Sequence, residues 1–232
     1  MSEIVISLLV ILGTAVLVGG LFLYLAYRKR QKEARLVQAA REHGWELEHI
    51  QQPMFSGFIL KGKTAHGHWS LEVLTEASPR DSGPGSSSIS HRTRWRCQDI
   101  SLPDRAIVIG PLPAGANPGA LQSFGVPLLQ LALRKMIGED ADWVSGLSQV
   151  TPENKALAAK FLCLANEDQD LSRLLSLEVE NILLKLPEKN RPVIKLRSTG
   201  LEISLPTAQL SDPSELEAMI HLGKALLSAW QG

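Results

Sequence analysis

The chain begins with an almost unbroken apolar stretch, and a periodic pattern of apolar and polar residues appears only after it. Residues 4–27 form a stretch of 24 positions without a charged side chain. As a helix that rises 1.5 Å per residue, this stretch is about 36 Å long, enough to cross a hydrocarbon core of about 30 Å. A core helix of a globular domain would have a polar face, and this stretch has none. The run is also too long for a signal peptide. We therefore predict that residues 1–27 are a transmembrane anchor.

The charges beside this stretch predict its orientation. No Lys or Arg precedes it, whereas five basic residues follow it closely and are called the collar here: Arg28, Lys29, Arg30, Lys32 and Arg35. Because basic flanks stay in the cytoplasm, we expect a single pass through the plasma (inner) membrane, a short outer N-terminus and a cytoplasmic C-terminal domain. Tyr24 and Tyr27 lie at the inner end, where aromatic rings favour the interface. The collar is either a topology signal alone or also a binding site for anionic headgroups.

Helix formers continue beyond the anchor. Residues 28–43 contain no Pro or Gly, and Gly44 follows them. This pattern predicts a basic juxtamembrane helix that is continuous with the anchor and ends at a glycine cap. Leu36, Val37 and Ala40 would form the face that docks on the following domain.

Alternating apolar and polar residues then predict strands. The predicted strands are 45–50, 58–61, 67–75, 89–97 and 105–110. We expect 67–75 and 89–97 to pair across a flexible polar loop at 78–88. A second irregular loop is predicted at 111–119.

The second half of the chain has mainly helical periodicity. Helices are predicted over 120–137, from a cap at Thr151, from Asp168 to about Leu186, and from a cap at Asp212 to the end. The strand predictions here are 160–165 and a hairpin of 192–196 with 201–205. Together these elements predict an α+β domain over residues 44–232.

One segment resembles a known group of proteins. It begins with Phe161, Ala165, Glu167 and Asp168 and continues through Leu174-Leu175 into a hairpin, over residues 160–206. In this it is similar to bacterial membrane-anchored domains of unknown function, although this chain has one predicted span rather than two. The resemblance implies an α+β fold beneath a membrane helix, and it implies no activity.

Charge and cysteine content narrow the functional classes. All 24 Lys and Arg residues lie beyond residue 27. Of the 24 acidic residues, one (Glu3) lies before residue 28 and 23 lie beyond it, so residues 28–232 carry a net charge of +1. Nucleic-acid-binding domains concentrate basic charge, and we therefore predict no nucleic-acid partner. Cys97 and Cys163 should be reduced thiols in the cytoplasm.

Three arginines form the best candidate binding surface in the sequence. Arg92, Arg94 and Arg96 alternate with Thr93 and Trp95, so a strand would carry all three guanidinium groups on one face. Such a face could bind an anion or an acidic partner. Alternatively, it is a solvated sheet face neutralised by cross-strand acids such as Glu72.

Histidines near the first hairpin are the candidate metal ligands. His66 and His68 flank Gly67, and His91 and Cys97 lie on the neighbouring predicted strand. Imidazole and thiolate suit zinc, but no Cys-x-x-Cys or His-x-x-x-His spacing accompanies them. We predict no metal and no cofactor, with an enzyme that uses His66, His68 and His91 as the alternative.

Acidic clusters and glycines supply no catalytic pattern. Carboxylates at 139, 140 and 142 and at 167, 168 and 170 adjoin predicted helix starts, where they stabilise the helix dipole. The chain lacks a phosphate-binding Gly-Lys-Ser/Thr loop ending and a Gly-x-Ser-x-Gly elbow. The prediction is therefore a membrane-tethered, non-enzymatic binding or scaffolding domain with a protein partner, with an anionic-lipid binder as a further alternative.

Overall fold

A single long helix opens the fold and leads into a large antiparallel sheet. The computed structural model describes residues 2–79, 87–100, 104–112, 137, 142–205, 210 and 212–231. Helix α1 spans Ser2–Glu42 without interruption, which confirms the predicted continuity between the apolar stretch and the basic segment. No helix among the described residues reaches the combination of length and apolarity that a membrane crossing requires.

Within the described ranges, nine strands follow α1, and all their pairings are antiparallel. The strands are β1 (Glu46–Gln51), β2 (Phe55–Thr64), β3 (Gly67–Pro79), β4 (Ser87–Cys97), β5 (Ile107–Pro111), β6 (Ser148–Val150), β7 (Phe161–Ala165), β8 (Val193–Arg197) and β9 (Gly200–Leu205). Their order in the sheet is β1-β2-β3-β4-β9-β8-β5-β7-β6. The predicted pairing of 67–75 with 89–97 is confirmed.

Helices cover one face of this sheet. They are α2 (Lys155–Ala158), α3 (Asp168–Leu174), α4 (Leu177–Lys185) and α5 (Pro213–Gln231). Short 3-10 helices lie at Asp142–Gly146, against the opposite face, and at Glu188–Asn190. The described part of the chain therefore has the predicted α+β architecture.

A lateral row of apolar side chains explains how the sheet is held to the helices. One residue from each strand lies in register with the next: Leu47, Leu60, Leu71, Trp95, Ile203, Ile194, Ile109, Cys163 and Val150. All belong to or pack against one apolar core, together with side chains from α3, α4, α5 and the end of α1. Because side chains alternate between faces, the neighbouring register positions fall on the opposite, more polar face.

A smaller apolar cluster covers part of that opposite face. It contains Val108, Leu162, Leu164 and Val193 from the sheet, with Val144 from a 3-10 helix packed onto them. The polar part of the face is thereby confined to strands β1 to β4, β9 and the adjoining end of β8.

Several boundaries differ from the sequence predictions. The helix predicted from Asp168 to Leu186 is two helices, because Ser176 caps a new helix by accepting a hydrogen bond from the backbone N–H of Val179 at 3.4 Å. Asn154, not Thr151, caps α2 through the N–H groups of Ala156 and Leu157.

The predicted loops are only partly described. The loop at 78–88 was placed too widely, because β3 reaches Pro79 and β4 begins at Ser87. Residues 113–136, 138–141 and 80–86 lie outside the described residues, and so do most of the predicted 111–119 loop and 120–137 helix. In contrast, the strand predicted at 160–165 and the hairpin around Ser198-Thr199-Gly200 are confirmed.

Candidate functional site

The collar lies on the exposed part of α1, between the apolar stretch and the domain. The side chains of Arg28, Lys29, Arg30, Lys32 and Arg35 are all exposed, as are those of Tyr24 and Tyr27. Lys29 is 4.0 Å from Glu33, one turn further along the helix. The Tyr27 hydroxyl accepts a hydrogen bond of 2.8 Å from Gln31. These predicted interface residues therefore share one helix and are available to a surface that lies alongside it.

The end of α1 is built into the domain core. Leu36 and Ala40 are buried as predicted, whereas Val37 is only partly buried and Ala39 takes its place in the docking face. Gly44 has a φ of +66°, and the N–H of Trp45 donates to the Ala40 carbonyl at 2.7 Å. This is the Schellman arrangement, in which a left-handed glycine closes a helix and turns the chain away from it.

Stacked rings connect this helix end to the sheet. His43 stacks on Trp45 with 4.5 Å between ring centroids. Trp45 meets the edge of Trp69 at 5.9 Å, and Trp69 stacks on Trp95 at 6.4 Å. This ring ladder (His43, Trp45, Trp69 and Trp95) joins α1 to β3 and β4 beneath α5. We infer that α1 and the sheet move as one body.

The start of helix α5 lies beside the end of α1, and the two segments run in the same direction. His43 Nε2 is 3.5 Å from Glu217 Oε1, whereas Arg35 and Lys32 act on Asp212, nearer the start of α5. Hydrogen bonds from Ser214 lower the pKa of Asp212, and the positive charges of Arg35 and Lys32 lower it further. The stabilisation is present at neutral pH and is lost as the pH falls through that lowered value. The start of α5 therefore points back toward the collar.

The three arginines lie on β4 as the alternation predicts, on the face opposite Trp95. Arg92 is exposed, whereas Arg94 and Arg96 are partly covered by the neighbouring strand β9. Arg94 is in register with Glu72 on one side, and Arg96 with Glu202 on the other. The three arginines thus form a continuous row, but Arg94 and Arg96 lie beside carboxylates.

Glu202 is the carboxylate that Arg94 and Arg96 share. Arg96 Nε donates to Glu202 Oε2 at 3.0 Å, and Arg94 Nε lies 3.8 Å from the same atom. Lys195 Nζ donates to Glu202 Oε1 at 3.2 Å and to the Ile137 carbonyl at 2.8 Å. Because the Glu202 side chain is only 19% exposed, these interactions are shielded from bulk water. The Glu202 cluster (Arg94, Arg96, Lys195 and Glu202) joins strands β4, β9 and β8. The alternative prediction of cross-strand acids named Glu72, whereas the carboxylate that pairs with these arginines is Glu202, and the cluster is partly buried rather than solvated.

A polar cleft of about 580 Å³ adjoins this cluster, and its lining mixes both signs of charge. Arg96, Lys61 and Lys63 face Glu46 and Glu72 there. Lys61 donates to Glu48 Oε2 at 2.7 Å, which raises the pKa of Lys61. A second cavity of about 180 Å³ lies on the other side of Arg96, toward Arg197. The cleft therefore offers paired charges rather than a concentrated anion site.

The candidate metal ligands are not brought together. His66 lies in the β2–β3 turn, and His68 lies on the polar face, where its backbone N–H donates to Asp99 Oδ2 at 2.6 Å. That hydrogen bond lowers the pKa of Asp99. His91 lies on the opposite face, 3.2 Å from the Thr75 hydroxyl, and Cys97 is buried. No three His, Cys, Asp or Glu side chains of the described ranges come together as a metal site.

The acidic cluster near α3 has a structural role. Arg105 lies 3.2 Å from Glu167 and 3.1 Å from Asp170, whose side chain is 9% exposed. Asp168 and Asp170 occupy the first turn of α3, where their negative charges interact favourably with the helix dipole. The N-cap residue of α3, Glu167, makes no side-chain capping hydrogen bond. Of the other predicted cluster, residues 139 and 140 lie outside the described residues.

Sequence reasoning missed the partners of the arginine row. Glu202 follows Arg96 by 106 residues, so no local spacing connects them. The only available signal was alternation, which places Lys195 and Arg197 on one face of β8 and Glu202 on one face of β9. That pattern identifies the polar side of each strand but not which strands are neighbours.

Comparisons with known proteins leave the family open. No protein-family model and no curated protein matches the chain. Among solved structures, the crystal structure of the mycobacterial trehalose monomycolate transport factor A, TtfA, matches with a TM-score of 0.45 and 6% sequence identity. The match covers 86% of this chain and 94% of that chain. A likeness at this TM-score carries no argument about function.

Proposed function

We propose that the protein is a membrane-tethered, non-enzymatic domain at the cytoplasmic face of the inner membrane, where it binds a protein partner or organises an assembly. One observation carries the proposal. Helix α1 runs without a break from an uncharged stretch, through the exposed collar, into the buried core of the domain. An anchor that ends inside a core holds its domain at a defined place on the membrane.

Exposed apolar side chains on α1 support the tether. Val16, Leu17 and Val18 are consecutive, so they point in three directions about 100° apart around the helix. All three are exposed, by 69%, 76% and 46% respectively. Large apolar side chains exposed on several sides of a helix are favourable in lipid and unfavourable in water.

The partner is expected to recognise the domain rather than the anchor. Tethering confines the domain to the membrane surface and raises its effective concentration toward other membrane-bound proteins. The polar sheet face offers exposed Arg92 and the cleft around Lys63 as recognition surfaces. The proposal of no catalysis rests on the absence of a catalytic motif in the sequence.

Membrane extraction tests the tether with a matched pair of double variants. Leu17→Asp/Leu21→Asp should release the chain from membranes washed with alkaline carbonate, because each carboxylate at a span centre costs about 2.5–3.5 kcal/mol. Ala34→Asp/Gln38→Asp places the same charges on exposed positions of α1 beyond the apolar stretch and should leave the chain in the membrane. Equal extraction of both variants would refute the tether.

Protease access tests the orientation. A tag after Gly232 should be protected in intact cells and cleaved in inside-out vesicles. Cleavage of this tag outside intact cells would refute the cytoplasmic placement and, with it, the proposed cytoplasmic partner.

A second candidate function is recognition of anionic headgroups by the collar. Five exposed cations within eight residues of one helix favour it, since each adds about 1 kcal/mol near an anionic surface. Native mass spectrometry of the extracted full chain should find retained phosphatidylglycerol, reduced in Arg28→Gln/Lys29→Gln. Lys63→Gln/Lys155→Gln, which removes two cations elsewhere, is the control and should not reduce it.

A further inference from the structure

An apolar groove lies between α4 and α5 and is not used by any site described above. Its volume is about 440 Å³, within the range of about 300–1,000 Å³ found for small-molecule sites. Apolar side chains dominate the lining: Ile182, Leu186, Ile203, Leu205, Met219 and Leu222. Ile203 and Leu222 are fully or almost fully buried at its floor.

Contacts along α4 and α5 fix the direction in which the groove runs. His221 Nε2 lies 3.6 Å from Glu178 Oε1, near the start of α4. At the other end, Asn190 donates to Glu215 Oε1 at 3.3 Å. The C-terminal end of α4 therefore lies beside the start of α5, which is the end that faces the collar.

This end of the groove lies close to the level of the headgroups if the anchor crosses the membrane as proposed. Asp212 interacts with Lys32 and Arg35, which follow Tyr27 by five and eight residues. At 1.5 Å per residue these positions are about 7.5 and 12 Å beyond Tyr27. The headgroup layer of one leaflet is about 5–8 Å thick. Ser214, which binds Asp212, lines the groove, so the groove begins at the boundary of the headgroup layer.

Charges at the same end complement an anionic headgroup. Lys185 lines the groove, is exposed, and pairs with no carboxylate of the described residues. Glu215 also lines the groove, as a partly buried carboxylate that accepts the hydrogen bond from Asn190, whereas Lys185 is an exposed cation on the groove wall.

We propose that this groove holds one acyl chain of an anionic membrane phospholipid, with the headgroup beside Lys185. The inference rests on the proposed membrane tether, and it names a ligand for the domain beyond a protein partner. An apolar chain would lie against Met219 and Leu222, while its headgroup stays at the membrane surface. The domain would thus contact the bilayer at two places, through α1 and through this lipid.

Photolabelling of the full chain in vesicles tests the proposal. The vesicles contain phosphatidylethanolamine and phosphatidylglycerol, with a small fraction of phosphatidylglycerol that carries a diazirine at the end of one acyl chain. We expect labelled peptides from α1 and, separately, from residues 177–222. Ala218→Trp, which fills the groove, should lower the second labelling at least fivefold. Ser228→Trp, on an exposed position of the same helix, should not change it.

A charge variant keeps the test valid if Ala218→Trp fails to fold. Lys185→Glu should lower groove labelling from phosphatidylglycerol at least threefold, whereas Lys155→Glu, at an exposed position on α2, should have no effect. Labelling of α1 without labelling of the groove overturns this inference and leaves the tether intact. Absence of both labels overturns the tether itself. The inference is also overturned if the lipid probe labels a co-purified protein and not residues 177–222, because a segment of that protein then occupies the groove.

Discussion

At Gly223, helix α5 packs directly on the ring of Trp95 in the sheet. A Cβ atom added there would lie 2.5 Å from the Trp95 ring, which is fully buried and stacked on Trp69. The ring therefore has no free space into which it could move. This close approach explains why a glycine occupies the middle of a helix, where it otherwise lowers stability.

Gly223→Val should reduce the free energy of unfolding by about 2 kcal/mol. Overpacking costs about 1–3 kcal/mol, which exceeds the few tenths gained from the better helix propensity of valine. Denaturant unfolding of the detergent-solubilised chain, followed by tryptophan fluorescence, measures the change. Gly146→Val is the control, because a Cβ there meets no atom within 4 Å. If both variants are equally stable, Trp95 is not fixed against α5.

The two thiols should be unreactive in the native protein. Cys97 and Cys163 are buried, and burial raises the pKa of both, that of Cys163 to about 12. A thiol-specific reagent at pH 8 should therefore modify neither cysteine until denaturant is added, because the thiolate is the reactive form. Modification of Cys163 in the native state would contradict its placement in the core.

The same burial predicts a decline of stability in alkaline solution. In the unfolded chain, Cys163 ionises near its ordinary pKa of about 8.5. Since the folded pKa is higher, the stabilisation is complete below about pH 8.5 and is lost as the pH rises toward 12. Cys163→Ala should show a shallower decline over that range than the native chain.

At the scale of elements, the Glu202 cluster joins strands that lie far apart in sequence. Glu202→Gln leaves Arg94, Arg96 and Lys195 without their shared carboxylate, and these side chains are only 21%, 34% and 12% exposed. Removing one partner of a fully buried ion pair costs about 3–5 kcal/mol, and partial exposure reduces this to about 1–3 kcal/mol here.

Glu48→Gln is the matched control for this substitution. Glu48 pairs with Lys61 on the same sheet face, but both side chains are about half exposed, at 53% and 45%. An exposed pair contributes about 0–1 kcal/mol. The midpoint of denaturant unfolding should therefore fall clearly for Glu202→Gln and very little for Glu48→Gln. Equal shifts would mean that the cluster does not hold the strands together.

Elements whose signals are local could be predicted from the sequence. Gly44 ends α1, Asp212 starts α5, and Gly200 marks the β8–β9 hairpin, each within a few residues of the feature it determines. The break between α3 and α4 also has a local signal in Ser176. The prediction of one helix missed it because leucines at helical spacing, among them Leu171, Leu174 and Leu183, continue across the break.

The strand order could not be predicted in this way. β4 pairs with β9 and β5 pairs with β8, so the centre of the sheet consists of contacts between distant segments. Alternation gives the face of each residue but contains no information about the neighbouring strand. For that reason the alternation predicts the arginine row, whereas the pairing of Arg94 and Arg96 with Glu202 could not be predicted.

At the scale of the whole molecule, the docking of α1 decides whether anchor and domain form one body. Ala40→Leu should loosen this docking, because Ala40 is 2% exposed and overpacking costs about 1–3 kcal/mol. Hydrogen exchange of the amides at 36–43, in the full chain in nanodiscs, should then accelerate roughly tenfold or more. Ala34→Leu makes the same change at an exposed position of the same helix and should leave exchange unaltered. Unaltered exchange in both variants would mean that α1 does not depend on this contact.

The uninterrupted course of α1 has a consequence for the direction in which the domain faces. Helix α1 continues without a break from Tyr27 to the Gly44 cap. If residues 1–27 anchor the chain as proposed, the number of residues between Tyr27 and Gly44 sets the rotation of the domain about the membrane normal. One inserted residue in the collar would swing the domain by about 100° and lift it by about 1.5 Å, whereas seven would return it almost to its starting azimuth. In a tethered chain, the number of residues between Tyr27 and Gly44 would therefore determine which side of the domain a neighbouring protein meets.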